Sequence, residues 1–259
     1  MLDAQSSAPR SCPAACKDVG QASLVFAPVG DLHATPSELD DPDYRHAVVD
    51  LLGVLAYGEL SAFQRLVSDA AMAPSIADMV ALSDMAVAEY THFERLRDRL
   101  QELGADPEQA MTPFRAAIDG FHRSTAPSSW LEGLVKAYVG DGIGQDFYTE
   151  MARYLDPTTR DLVLDVMADL GHSEFVVDRV RGAIDADPRI AGRLALWGRR
   201  LVGEALSQAQ HVAAERDSLD PLFVGSDTRE GIGLGGVGVI FTRIIERHTA
   251  RMKSLGLSA

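Results

Sequence analysis

Long blocks of helical periodicity constrain the fold of this chain more than any other feature. Apolar residues recur at three- and four-residue steps, whereas the alternation typical of β-strands is nearly absent. Proline or glycine lies in the connections, as is common where helices end. The pattern predicts an all-α fold with a short helix over 113–123 and long helices over roughly 43–70, 75–103, 128–154, 157–184, 187–215 and 228–255.

The first part of the chain differs from the rest. Residues 1–40 carry Pro, Ser, Ala and Asp without sustained periodicity, which is typical of a flexible tail. We expect one helical domain over 41–259, because this length suits a single large core. Within it, we expect a four-helix core over about 43–185 and two additional C-terminal helices over about 187–215 and 228–255.

Composition narrows the class of protein. Hydrophobic residues make up 46% and charged residues 24%, as in soluble globular proteins. No apolar run approaches the ~18 to 20 residues that cross a bilayer, and the N-terminus lacks the pattern of a secretory signal. We therefore expect a cytoplasmic protein without a membrane partner. Cys12 and Cys16, the only cysteines, are too few for a tetrahedral zinc site and are expected to be reduced.

Net charge bears on nucleic-acid binding. The formal charge is -14 at pH 7, and binding to phosphate backbones depends on clustered Lys and Arg. The GIGLGG segment does contain Gly231, Gly233 and Gly236 in a GxGxxG match, but the dinucleotide fingerprint requires a preceding strand that the sequence does not supply. We interpret this segment as a flexible entry to the last helix.

Acidic residues interrupt the apolar faces of the predicted helices. Glu59 lies in a stripe with Leu52, Leu55, Phe63 and Leu66. The second helix carries Glu-x-x-His, the third an acid, and the fourth Asp-x-x-His. In chain order these stripe residues are Glu59, Glu89, His92, Asp141, Asp169 and His172.

This set predicts a metal centre. Ionised carboxylates in a core cost several kcal/mol each unless something cationic lies among them. One acid on each of two helices, with an acid-x-x-His pair on each of the other two, is the ligand set of a two-metal site in a four-helix bundle. The order also repeats, because 30 residues separate Glu59 from Glu89 and 28 separate Asp141 from Asp169. We expect two similar helical hairpins around two metal ions.

Alternatives to a metal centre with this ligand set stay open. A single acid-x-x-His is weak evidence for a metal, and a metal-free bundle with hydrogen-bonded core groups is the simpler alternative. Asp146 competes with Asp141, but its neighbours Thr149, Glu150 and Arg153 indicate a wetter face. The remaining histidines have no matching acid and are interpreted as surface or structural residues: His33, His46, His122, His211 and His248.

Four segments carry a family resemblance: LAYGELSAF, AEYTHFERL, YVGDGIGQDFY and DLGHSEF. Over about residues 44–215 the chain resembles the ferritin-like superfamily, and within it the tRNA 2-methylthio-isopentenyl-adenosine hydroxylase family. The resemblance implies a ferritin-like bundle with a non-haem di-iron centre that activates O2. It also implies that Glu59 is a terminal ligand and Glu89 a bridging ligand, and that His92, Asp141, Asp169 and His172 complete the set.

The chain departs from that hydroxylase family at Asp141 and Asp169, where the family has Glu. Because Asp is one methylene shorter, the helices must approach more closely or the second metal is held loosely. A close approach would use Gly140, Gly142 and Gly144. Asp146 and Glu174 are the substitutes if the shorter acids do not reach.

Three functions follow from this pattern. The leading one is a di-iron hydroxylase or monooxygenase that uses O2, an unidentified organic substrate and an unidentified electron donor. The second is a non-enzymatic metal-binding or storage protein, and the third is a metal-free interaction bundle. A carboxylate-rich site accepts iron or manganese. Family resemblance suggests tRNA as the substrate, the acidic charge argues against it, and a homodimer is compatible with the pattern.

Overall fold

A computed structural model describes residues 37–168, 172–225 and 231–259, apart from the side chains of His172, Ser173, Ala213, Ala214 and Leu234. The described residues contain helices and no strand, which confirms the all-α prediction. The helices are α1 (Pro42–Ala70), α2 (Ile76–Glu102), α3 (Pro107–Met111), α4 (Arg115–Ser124), α5 (Trp130–Met151), α6 (Pro157–Val166), α7 (His172–Ala186), α8 (Ile190–Glu215), α9 (Asp220–Val224) and α10 (Gly233–Ser254).

The long helices begin at residues that cap them. The Asp41 side chain accepts hydrogen bonds from backbone N–H groups of α1, and Pro42 follows it in the first turn. Ser75 and Ser129 cap α2 and α5 in the same way. Such side chains satisfy N–H groups that have no partner inside the helix. Because these capping signals are local, the starts of α1, α2 and α5 predicted from the sequence lie within two residues of the observed starts.

The helices bury one continuous core. α1 packs along α2, and α5 contacts α1, α7, α8 and α10. The stripes that carry the acids are the ones that pack inward, and their fully buried members include Leu52, Leu55, Leu82, Leu96, Leu134, Val176 and Val180. The core therefore brings the acid-bearing faces of α1, α2 and α5 towards one another.

The fourth predicted helix, over 157–184, is wrong as a single element. α6 ends at Val166, and Met167 and Ala168 form a turn. The Met167 carbonyl accepts a hydrogen bond from the Gln145 side chain of α5, so a tertiary contact satisfies the backbone group where the helix stops. Asp169 lies outside the described residues, as does the side chain of His172.

Helix α1 bears on the expectation that no segment of the chain could cross a membrane. Among the described residues it is the one helix long and apolar enough to cross a bilayer by length and composition, although no uninterrupted apolar run was expected. Half of the window that passes is buried inside the protein, and the core helix of a soluble protein passes the same test. The apolar character of α1 is accounted for by the core it helps to build.

Ion pairs fix α10 against α5, and they show that the sequence interpretation of Asp146 was wrong. Asp146 and Glu150 are buried, not on a wet face. Arg247 Nη1 lies 3.2 Å from Asp146 Oδ1, and Arg243 Nη1 lies 2.8 Å from Glu150 Oε2. Arg251 also pairs with Asp146. Buried acids of α5 are thus neutralised by arginines about one hundred residues later in the chain, which periodicity within α5 does not reveal.

Gly142 serves this ion-pair contact rather than the close approach of ligand helices that the sequence suggested. A Cβ at Gly142 would lie 2.2 Å from Arg251 Nε, whereas a Cβ at Gly140 meets no atom within 4 Å and one at Gly144 meets only Tyr148, at 4.0 Å. The Arg251 guanidinium therefore crosses α5 at Gly142, because the absence of a side chain there leaves room for it.

We expect Gly142→Ala to destabilise the protein, because Arg251 must move and Asp146 then loses a partner. The expected loss is about 1 to 3 kcal/mol of unfolding free energy, as for other overpacked buried sites. Gly140→Ala on the same helix is the control, and removing a helical glycine should stabilise it by up to about 1 kcal/mol. Urea unfolding measures both, and equal stability of the two variants would contradict this role for Gly142.

Candidate metal centre

Two helices bring three predicted ligands together. Glu59 of α1 and Glu89 and His92 of α2 each offer a ligand atom, and these atoms lie within 4.8 Å of one another. The His92 Nδ1 atom is 3.4 Å from Glu59 Oε2. Glu89 and His92 share a face because they are three residues apart on a helix. The α1–α2 packing supplies Glu59 from the opposite side.

Asp141 of α5 borders the same site. It lines the cavity that Glu59, Glu89 and His92 also line. Asp141 is an exposed residue, yet desolvation by the surrounding protein raises its pKa well above the ordinary value; the charge of Glu89 raises this pKa further and the charge of Lys136 lowers it. Asp141 thus lies at the cavity wall, close enough to Glu59 and Glu89 for their charges to interact.

The acids disturb one another's protonation. Burial raises the pKa of Glu59 to about 7, with a further contribution from the charge of Asp141. Burial raises the pKa of Glu89 well above its usual range, and the hydrogen bond with Glu59 and the charge of Glu59 raise it further. Without a cation, the cluster therefore holds protons that isolated carboxyl groups would release at neutral pH.

The pKa of His92 shifts in the opposite direction. Burial lowers its pKa, and the charge of Glu89 only partly offsets that effect. The imidazole is therefore neutral at pH 7, which is the form that binds metals.

These residues fit a metal ion. Glu59 Oε2 is buried and has no hydrogen-bond partner among the described residues, and such an atom is costly to bury unless something pairs with it. Carboxylate oxygens with imidazole nitrogen suit iron or manganese. Of the six predicted ligands, the structure brings Glu59, Glu89 and His92 together with Asp141 beside them. The substitute Glu174 is exposed on α7.

A cavity of about 420 Å³ adjoins the cluster. Its walls are mainly apolar and come from several helices, with Leu55, Met85, Ile143, Phe147, Val176, Phe223 and Ile244 among the lining residues. Tyr148 also lines it, and burial together with the charge of Glu59 raises the pKa of this phenol. A volume of this size is ordinary for a small-molecule site.

Two lining residues had no role in the sequence interpretation. His122 of α4 has its Nε2 atom 3.0 Å from Ser61 Oγ, and burial next to Lys136 and Arg65 lowers its pKa to about 3. Burial lowers the pKa of Lys136, on α5, to about 8. Lys136 could have been found as the single cation in the run LVKAYV. No local signal marks His122.

Comparison with known families decides the class of this fold. Residues 42–226 match the family described as "Ferritin-like domain, actinomycetes". The chain belongs to this family. A search of curated proteins finds no match. The ferritin-like resemblance is thereby confirmed, and the matched region runs from α1 to just beyond α9, so α10 lies outside it.

Proposed function

We propose that this ferritin-like protein binds two iron ions and is an O2-dependent hydroxylase or monooxygenase. The observation that supports this proposal most directly is the cluster of Glu59, Glu89 and His92 at the wall of an apolar cavity, with Asp141 beside it. Asp169 and His172 remain the proposed ligands of the second half of the site on sequence grounds. Manganese is the alternative metal for the same donors.

Bound iron would supply the redox chemistry that inserts one oxygen atom of O2 into a C–H bond, with electrons from an external donor. The protein's own contributions follow from the geometry. Glu59, Glu89 and Asp141 provide negative charge to hold the cations, and His92 provides a neutral nitrogen. Apolar walls exclude water and orient a hydrocarbon next to the cluster.

The cavity favours an enzyme over a storage protein. Its described wall is mainly apolar and encloses a volume of about 420 Å³, with polar side chains limited to the cluster and a few other lining residues such as Lys136. An apolar pocket with a few polar groups is typical of a site for an organic molecule.

Oxygen uptake by the iron-loaded protein tests the proposal. We expect up to two iron ions per chain after anaerobic loading, and continued O2 consumption coupled to an organic product when a reductant and substrate candidates are supplied. Iron that accumulates as ferric mineral well beyond two ions per chain would instead identify a storage protein. Less than half an ion per chain after loading would identify a metal-free bundle.

We expect no general binding of tRNA at physiological salt. The net charge is -14, and many arginines are already paired with acids, including Arg95, Arg179, Arg243, Arg247 and Arg251. In the described part of the chain, these paired arginines are therefore less able to displace counterions from a phosphate backbone. A filter-binding titration at ~0.15 M salt measures this, and nanomolar affinity for bulk tRNA would contradict it.

A further inference from the structure

The cavity has a second polar region, which we call the basic end and define as Arg65, Asp69 and Lys136. All three residues line the cavity. Lys136 precedes Asp141 by five residues on α5, which corresponds to about 7.5 Å along a helix axis. The basic end is therefore separate from the carboxylate–imidazole cluster but within reach of the same small molecule.

Lys136 is a buried cation with unused donors. Its side chain reaches the interior with a residue exposure of only 6%. Nζ donates one hydrogen bond, 2.8 Å long, to the Thr125 carbonyl, and it lies 5.5 Å from the centre of the Phe121 ring. An ammonium group has three N–H donors, and the described residues provide no acid within ion-pair distance of Nζ. Buried cations generally require an anionic partner.

Arg65 adds a second unpaired cation. It is an exposed residue one turn before Asp69 on α1, and its guanidinium makes no hydrogen bond or ion pair with any described residue. Both cations are close enough to lower the pKa of Asp69 against the effect of its burial, and to lower that of His122. His122 is neutral. Asp69 interacts with both cations and Asp141 also interacts with Lys136, but neither carboxylate is within ion-pair distance of either cation. The basic end thus places one buried cation, Lys136, and one exposed cation, Arg65, at the cavity without an ion-pair partner, in a protein of charge -14.

We propose that the basic end binds the carboxylate of an amphipathic organic acid. The hydrocarbon part of that acid would lie along the apolar wall and place a C–H group near Glu59 and Asp141. The carboxylate would supply the negative charge that Arg65 and Lys136 lack, while the chain fills the apolar volume. This placement rests on the proposed function, because only that function requires a carbon atom at the cluster.

A purely structural role for Lys136 is the competing explanation. Its hydrogen bond to Thr125 satisfies a carbonyl just beyond the C-terminal end of α4, which alone would give Lys136 a purpose. Arg65 has no comparable structural contact. A ligand site therefore requires both cations to affect binding of an anion, whereas a structural role requires only Lys136 to affect folding.

Calorimetric titration of the metal-free protein with octanoate and with octanol tests the proposal. In the presence of a chelator, we expect octanoate to bind at least tenfold more tightly than octanol. Arg65→Met and Lys136→Met should each weaken octanoate binding about tenfold and leave octanol binding unchanged. Asp69→Asn should strengthen octanoate binding, because it removes the opposing charge. Arg189→Met, at an exposed arginine paired with Asp187, is the control and should change neither.

Octanoate binding no tighter than octanol binding would overturn the proposal. So would unchanged octanoate affinity in Arg65→Met, which alters an exposed residue and should fold even if Lys136→Met does not. The measurement is made without metal, so its outcome is independent of the proposed iron chemistry. If the protein prefers octanoate but does not bind iron, the acid site is retained and the hydroxylase is rejected. If it binds iron but does not prefer octanoate, the acid site is rejected and the hydroxylase is retained.

Discussion

Glu89→Gln should remove most of the metal that the protein binds. Glu89 belongs to the compact cluster with Glu59 and His92, and the amide that replaces it has nearly the same shape but no negative charge. We expect metal affinity to fall about 100-fold or more, beyond the 10- to 100-fold that loss of an outer-shell partner typically costs. Elemental analysis after anaerobic Fe(II) loading and removal of free metal measures the loss.

Two kinds of variant control this result. Glu94→Gln changes another acid of α2, whose side chain is 44% exposed, and it should retain the metal. Asp146→Ala should also retain the metal, although it leaves Arg247 and Arg251 without their partner and should lower stability. Loss of metal in Asp146→Ala with retention in Asp141→Ala would assign the α5 ligand to Asp146 instead.

The stability of the metal-free Glu59→Gln protein should depend on pH differently from that of the wild type. The pKa of Glu59 rises from 4.5 to about 7 in the folded protein, so the folded state binds more protons than the unfolded state between these values. Glu59 therefore destabilises the wild type progressively as pH rises through this window. The variant should match the wild type near pH 4.5 and exceed it by roughly 3 kcal/mol above pH 7.

The comparison with wild type is needed because another group acts in the opposite direction. The pKa of His122 is lowered to about 3, so its contribution makes the folded state more stable as pH rises towards 6.5. Subtracting the two unfolding curves removes this shared contribution. Denaturant titrations at several pH values give the difference, and parallel curves for both proteins from pH 4.5 to 8 would show that Glu59 does not carry a raised pKa.

Saturating metal should reverse the order of the two proteins. Metal binds the deprotonated acids and stabilises only the folded state. The wild type gains this stabilisation, whereas Glu59→Gln lacks a ligand and gains less of it. The excess stability of the variant at neutral pH is therefore expected only in the metal-free protein.

Local periodicity was enough to predict the long helices and the part of the site that lies on two of them. Glu89 and His92 share a face because of their spacing on one helix, and Glu59 lies in the stripe that packs against that face. Each of these inferences needs only the helical repeat and the burial of apolar residues. The fold and the three-residue cluster follow from such short-range information.

The remaining features depend on contacts between distant parts of the chain. Asp146 was placed on a wet face because its helical neighbours are polar, whereas the partners that bury it, Arg247 and Arg251, lie on α10 and leave no local signal. The end of α6 was missed because the donor to Met167 is Gln145 of α5. The short helices α3 and α9 have five residues each, too few to show a period. A cavity is a space between helices, so no residue pattern along one helix reports it.

The most direct test of the metal centre is a crystal of the iron-loaded protein measured at the iron absorption edge. We expect anomalous density for two ions beside Glu59, Glu89, His92 and Asp141, with Asp169 and His172 completing the site. Anomalous density at another location, or none beside Glu59, Glu89 and His92 in crystals that contain iron, would contradict the proposed centre.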